Sequence, residues 1–196
     1  MTSLHPNFYT FSVPDVPKCT YKYTGWNSRG GGDSVYLDRH WVVCGGGYAM
    51  RYFRLQRSGN SIRYQFLCCT LQPYTVTAYP TKYTPFNADG NGDFVYLDRH
   101  QPYCWNYGNS FIRYFRLGRN GGHNQWRYQY GCSNVNKAIS CYDRHTGFTY
   151  DGNGRVEYLD RNFVYCNSGY FIQSFRLQRN SGHNHIRYWA RCCKYA

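Results

Sequence analysis

The sequence predicts an all-β protein: three tandem repeats of about 60 residues, closed into a pseudo-threefold, disulfide-stapled body, either a β-trefoil or a three-sheeted β-prism. Three observations predict it. The phrase RYFRLQRSGNSIRYQFLCC at 51–69 returns in varied form at 113–133 and at 173–193. Within each phrase the apolar residues recur at every second position, the period of a strand. The ten cysteines fall in step with the phrase.

Residues 1–18 carry Pro6, Pro14 and Pro17 and read as an extended arm. The rest, 19–196, reads as one domain with repeats at 19–70, 79–133 and 141–193. Each repeat writes Tyr-Leu-Asp-Arg, at 36–39, 96–99 and 158–161, expected as a strand. A second strand ends at the first cysteine, as in Trp41-Val42-Val43-Cys44. Next comes a hairpin. Phe53 and Leu55 face inward on its first arm, leaving Tyr52, Arg54 and Gln56 outside. On its second arm Ile62, Tyr64, Phe66 and Cys68 share the inner face and Arg63 and Gln65 the outer. Glycine-bearing turns such as Ser58-Gly59-Asn60 join the arms. By the same register Phe115 and Phe175 are equivalent to Phe53, and Leu117 and Leu177 to Leu55. No segment reads as a helix.

The cysteines are the most specific signal. Every repeat has one cysteine before its hairpin and one closing it, which pairs Cys44 with Cys68, Cys104 with Cys132 and Cys166 with Cys192. The first and third repeats add an upstream cysteine (Cys19, Cys141), 25 residues before the repeat's first cysteine, and a second closing one (Cys69, Cys193). The second repeat has Tyr79 and Ser133 at those two places. Joint presence and joint loss is the behaviour of a bonded pair, so Cys19–Cys69 and Cys141–Cys193 complete the set. Zinc is the rival use of thiolates, but no C-x-x-C spacing occurs and adjacent cysteines chelate poorly.

This frame resembles the dermatopontin family of extracellular matrix proteins. Tyr64-Gln65-Phe66-Leu67-Cys68-Cys69 stands where that family places Trp-x-Phe-x-Cys-Cys, and Tyr128-x-Tyr130-x-Cys132 and Tyr188-x-Ala190-x-Cys192 follow it more loosely. The family's Asp-Arg pair before the Trp is here Ser61-Ile62, Gln125-Trp126 and His185-Ile186. The resemblance implies a secreted, non-enzymatic, disulfide-bonded protein that binds glycosaminoglycan, proteoglycan or collagen. Invertebrate members of that family include agglutinins and shell-matrix proteins.

Composition narrows the partners. A balance of 23 Lys and Arg against 10 Asp and Glu leaves +13 at neutral pH, which favours polyanions. Ten cysteines point to an oxidising compartment, so the chain is expected outside the cell, as a mature form whose leader has been removed. That placement also makes nucleic acid the poorer polyanion. No apolar run is long enough to span a membrane. The expected partners are acidic or sulfated polysaccharide, proteoglycan or collagen, and a second copy of the chain.

Two surfaces are candidate sites. The first is an outward cationic face of Arg54, Arg63, Arg116, Arg127, Arg176 and Arg187, interleaved with Tyr52 and Tyr114 for stacking on sugar rings. The second is the glycine-rich loop of each repeat, in which Trp26 and Asp33, Phe86, Asn91 and Asp93, or Phe148 and Asn153 would form up to three equivalent sugar sites. A simpler expectation for these loops is that each ring packs on the core. The Leu-Asp-Arg pairs Asp38-Arg39, Asp98-Arg99 and Asp160-Arg161 could bind ligand as a third site, but are expected instead to fix turns locally.

No cofactor or metal is expected: Asp89-x-Asn91-x-Asp93 opens like a calcium loop but lacks the closing Glu, and Arg155 breaks its counterpart. No catalytic motif occurs, and His40 and His100 give way to Asn162 in the third repeat, so the chain reads as a non-enzyme. The leading function is a matrix or adhesion protein that grips acidic polysaccharide. The alternative, from a different class, is a multivalent lectin or agglutinin used in defence. Salt-sensitive heparin binding marks the first, and agglutination blocked by a neutral sugar marks the second.

Overall fold

A computed structural model describes residues 17–195. The 1–18 arm therefore lies outside the described residues, apart from its last two. The chain is all-β, with three sheets and five disulfides. Each of the three segments contributes five strands. The first contains β1 (Cys19–Tyr23), β2 (Asn27–Ser28), β3 (Val42–Val43), β4 (Tyr48–Ser58) and β5 (Ser61–Thr70). The second contains β6 (Thr77–Ala78), β7 (Lys82–Tyr83), β8 (Asn87–Ala88), β9 (Ser110–Arg119) and β10 (Gln125–Asn134). The third contains β11 (Ile139–His145), β12 (Thr149–Tyr150), β13 (Phe163–Tyr165), β14 (Phe171–Arg179) and β15 (His185–Tyr195).

The long hairpins β4–β5, β9–β10 and β14–β15 form the centres of the three sheets. Alternation along them sends Phe53 and Leu55, Phe115 and Leu117, and Phe175 and Leu177 inward, all of them buried. The three phenylalanine rings meet one another at centroid distances of 4.8, 4.8 and 5.0 Å. Tyr64, Tyr128 and Tyr188 pack edge-on around them, with burial raising each hydroxyl pKa. Such aromatic pairs contribute about 0.5–1.5 kcal/mol each beyond the area they bury.

The strand before each hairpin does not join its own sheet. β3 pairs with β9 of the second segment, setting Val42 opposite Phe115, and β13 pairs with β4 of the first, setting Val164 opposite Phe53. From the second segment to the third the contact shrinks to one bridge, Tyr103 to Ser174, because Pro102 has no N–H to give a ladder. The following cysteine amide repeats the hand-over, Cys44 N donating to Arg113 O, Cys104 N to Gln173 O and Cys166 N to Arg51 O. Bridges Cys44–Cys68, Cys104–Cys132 and Cys166–Cys192 then tie each donated strand back to its own hairpin. Cys19–Cys69 and Cys141–Cys193 fasten β1 and β11 alongside β5 and β15, so the five bridges are the pairs inferred from cysteine spacing.

The Tyr-Leu-Asp-Arg stretches are not strands. They form short 3₁₀ turns at Ser34–Arg39, Phe94–Arg99 and Val156–Arg161. The Asp33 and Asp93 carboxylates accept from the Val35 and Val95 amides and start two of these turns. Residues three apart eclipse in a 3₁₀ turn, which lays Arg39 on Tyr36, Arg99 on Tyr96 and Arg161 on Tyr158 at 4.1–4.2 Å. In a strand the same two side chains would point to opposite faces.

Candidate functional site

The Leu-Asp-Arg aspartates hold a neighbouring segment rather than a local turn. Asp38 pairs with Arg119, Asp98 with Arg179 and Asp160 with Arg57, at N–O distances of 2.9, 2.8 and 3.4 Å. Two of these pairs floor a surface pocket. The first, of about 330 Å3, is lined by Trp26, Arg54, Gln56, Arg57 and Asp160. The second, of about 350 Å3, is lined by Asp98, Arg176, Gln178, Arg179, His183 and Arg187. They are built alike. The backbone carbonyl of Asp160 accepts from Arg54 Nε at 3.2 Å, and that of Asp98 from Arg176 Nε at 3.1 Å. Gln56 accepts from Arg63 Nε and Gln178 from Arg187 Nε, both at 2.9 Å. Anchoring through Nε fixes the guanidinium plane and leaves the terminal amino groups as donors for a bidentate sulfate or carboxylate.

Aromatic rings clamp the second arginine of each set. Arg63 lies 4.3 Å from the Tyr23 ring and 4.4 Å from that of Trp26. Arg127 lies between Tyr83 and Phe86 at 4.0 and 4.2 Å, and Arg187 rests on Phe148 at 4.5 Å. Trp26, Phe86 and Phe148 are thus exposed stacking platforms, and they do not pack on the core.

The second segment departs from this plan. Gly118 stands where Gln56 and Gln178 stand, and half-buried Arg116 sits 5.5 Å over Trp41. Tyr114 is 5% exposed, with its hydroxyl on Thr81 Oγ1 at 2.7 Å, and cannot serve as a sugar-stacking surface. Gly131 is the reason. A Cβ there would fall 2.1 Å from the Tyr114 ring, so only glycine lets the ring lie across the β10 backbone. Tyr52 is half-buried between Tyr21 and Phe163, and burial raises its hydroxyl pKa.

The loop polar groups are largely occupied. Asp33 and Asp93 cap the 3₁₀ turns, the Asn91 and Asn153 amides donate to Asp89 and Asp151, and Asn153 Oδ1 accepts from the Tyr150 hydroxyl. The loops also pack on one another. Asp33 lies against Gly92 and Asp93 against Gly154, so closely that a Cβ at either glycine would fall 2.1–2.2 Å from a carboxylate oxygen. At the third junction Arg155 replaces the aspartate, Arg29 replaces Asp89 and Asp151, and Glu157 replaces Val35 and Val95. Buried Glu157 ion-pairs with both arginines. Despite the burial, its hydrogen bonds and the Arg29 and Arg155 charges hold its pKa below the usual value. Among the described residues no group of three or more His, Cys, Asp or Glu could hold a metal.

His40 and His100 are 1% exposed and serve the fold. Thr24 and Thr84 hydroxyls accept from the Tyr64 and Tyr128 amides and lie 2.9 Å from the Nδ1 atoms of His40 and His100. Each hydroxyl thus links a strand amide to a buried imidazole ring. Thr146 donates to Asn162 Oδ1 in the same way, which is why Asn can replace His there. Burial lowers the pKa of both histidines to about 4, with Arg39 and Arg99 acting in the same sense against Asp38 and Asp98.

Sequence alone points to Arg54, Arg63, Arg176 and Arg187 and assigns Asp98 and Asp160 to local turns, but misses Arg57 and Arg179, their partners. A signal for them exists: Arg57, Arg119 and Arg179 recur as regularly as Arg54 does. No known family model matches the chain, and a search of curated proteins finds no match. No helix among the described residues is long and apolar enough to cross a membrane.

Proposed function

We propose that this chain is a secreted, non-enzymatic matrix or adhesion protein that binds acidic polysaccharide through its two matched cationic pockets. The repeated arrangement carries the reading: two arginines anchored by one aspartate in each pocket, and a third held by a pocket glutamine beside an aromatic ring, Arg187 lining its pocket and Arg63 bonded to Gln56 in the wall of the other. Among the described residues five acids, Asp38, Asp98, Asp143, Asp160 and Glu157, are ion-paired, and the chain's 10 acids are too few to compensate its 23 basic residues. Five disulfides are compatible with secretion.

On this reading the three segments are repeats that close into a pseudo-threefold body, the three-sheeted prism in preference to the trefoil. Strand hand-over from first to second, second to third and third to first supports it, as does the symmetric phenylalanine trio. The arrangement of cysteines and closing aromatic strands supports kinship with dermatopontin-like proteins.

Heparin-column retention tests the function. Changing Arg54, Arg63, Arg176 and Arg187 to Gln should lower the eluting salt sharply. Each lost contact removes about 0.7–0.9 from the slope of log affinity against log salt, by analogy with nucleic acids. Elution of the fourfold variant at the wild-type salt would make these arginines structural. The exposed Trp26, Phe86 and Phe148 rings would then favour the lectin.

A further inference from the structure

A pocket of about 580 Å3 lies where the three segments disagree. Its walls include Trp105, Trp189, Arg191, Gln173, Asn109 and Ile139. Trp189 stands where the other sheets have Gln65 and Gln129, and Arg191 where they have Leu67 and Gly131. Gln173 replaces Arg51 and Arg113. Trp105 sits in a 3₁₀ turn, Trp105–Tyr107, between Cys104 and the hairpin, where the first segment has only glycines before Tyr48. The site therefore occurs once.

The opening has a structural cause. It flanks the junction at which Pro102 reduces the donated strand to the single Tyr103–Ser174 bridge. Pro102 O still accepts from the Ser174 hydroxyl at 2.8 Å, so the junction is held while the strand beside it is lost. Tyr103 stacks on Trp105 at 4.7 Å with the planes 18° apart, which steadies an indole that is 40% exposed. An exposed ring held flat by a second ring presents its outer face to a partner.

The chemistry of the walls selects that partner. Two indoles offer apolar faces, Gln173 and Asn109 offer amides, and Arg191 is the charged group in the lining, held by Asp143 at 3.2 Å. The volume is that of a small-ligand site. Along β15 the outward residues Arg187, Trp189 and Arg191 run in line, so Arg191 lies about 13 Å along the strand from the cationic pocket that contains Arg187.

We propose that this pocket is a single saccharide site for a carboxylate-bearing pyranose, the ring stacking on Trp105 and Trp189 and the carboxylate meeting Arg191. It is independent of the paired cationic pockets and would stand if their polyanion role failed.

Calorimetric titration of the intact protein with an unsulfated, uronate-containing tetrasaccharide tests it, with a neutral tetrasaccharide of equal length alongside. One tetrasaccharide should bind per chain. W105A and W189Q should each weaken it about tenfold or more, the latter installing the residue of the other two sheets so that the fold is kept. R191L should abolish the preference for the uronate over the neutral sugar. Wild-type affinity in both tryptophan variants, equal binding of the two sugars by wild type, or no binding of either would overturn the proposal. If W189Q failed to fold, W105A on its exposed turn would decide alone. Heparin retention, read on the same variants, separates failure of this site from failure of the cationic pockets.

Discussion

Changing His40 and His100 to Asn should flatten the acid limb of the stability curve. Both rings are 1% exposed and neutral, their pKa lowered by burial from the ordinary 6.5 to about 4. Between those values the unfolded chain binds protons that the folded chain refuses. The stabilisation is therefore complete above pH 6.5 and is lost as pH falls toward 4. Each tenfold loss of proton affinity is worth about 1.4 kcal/mol, so the fall from 6.5 to about 4 amounts to about 3 kcal/mol per histidine. About 2.5 kcal/mol of that is already gone at pH 4.5, or about 5 kcal/mol for the pair. A typical domain has only about 5–15 kcal/mol in all.

Asn162 shows that a group that does not titrate can take the same place, accepting from the Thr146 hydroxyl as each histidine engages its threonine. Urea unfolding at pH 7.5 and 4.5, with disulfides intact, gives the difference directly. Wild type should lose about 5 kcal/mol more between the two than the double variant does. Any cost of the smaller side chain appears at both pH values and cancels. So does Asp93, whose pKa burial raises in both proteins and which works in the opposite sense, stabilising as pH falls. Equal losses in the two proteins would mean that the buried rings do not resist protonation.

Glu157→Val should cost about 3 kcal/mol, because it strands Arg29 and Arg155 at a loop junction, and adding Arg29→Asp and Arg155→Asp should recover most of that in chemical denaturation. Gly131→Leu should destabilise by several kcal/mol as long as Tyr114 is present and much less when Tyr114 is Ala, a coupling that a double-mutant cycle reads. Removing Cys19–Cys69 with two serines should cost about 2–5 kcal/mol and should speed hydrogen exchange first in β1, whose five side chains are all exposed and bury little to hold it.

What the sequence made legible was local or jointly written. The hairpins have period two, and their partners lie one turn away, as with Phe53 opposite Phe66. Cys19 with Cys69 was legible because both cysteines are missing together from the second segment. The 3₁₀ turns were hidden because Tyr-Leu-Asp-Arg is too short to show a helical period and its tyrosine and leucine suit a strand. The contrary signal, an aspartate two residues before Val35 and Val95, is absent from the third segment, where Arg155 stands. The hand-over of β3 to β9 left no trace, since Val42-Val43 would suit either sheet. Tyr114 looked outward by period and is buried because of a glycine on the neighbouring strand, which no pattern along β9 reports.

Agreement among the segments proved a guide to the fold more than to the function. Phe53, Tyr64 and Asp38 recur because each junction must be closed in the same way, so their repetition reports packing and ion-pairing constraints. The cationic pockets recur in only two segments, since Gly118 deprives the second of its glutamine. Trp189 and Arg191 recur nowhere. Glutamine, leucine or glycine serves the same strand positions in the other sheets, so neither residue is needed to build a sheet. Exposed Trp105 and half-buried Trp189 flank one opening beside Arg191, at the junction that Pro102 weakens; indole surface left open to water is costly and contributes little to the core. In a chain built from similar segments, a residue the architecture does not require in the others is best explained by something outside the chain.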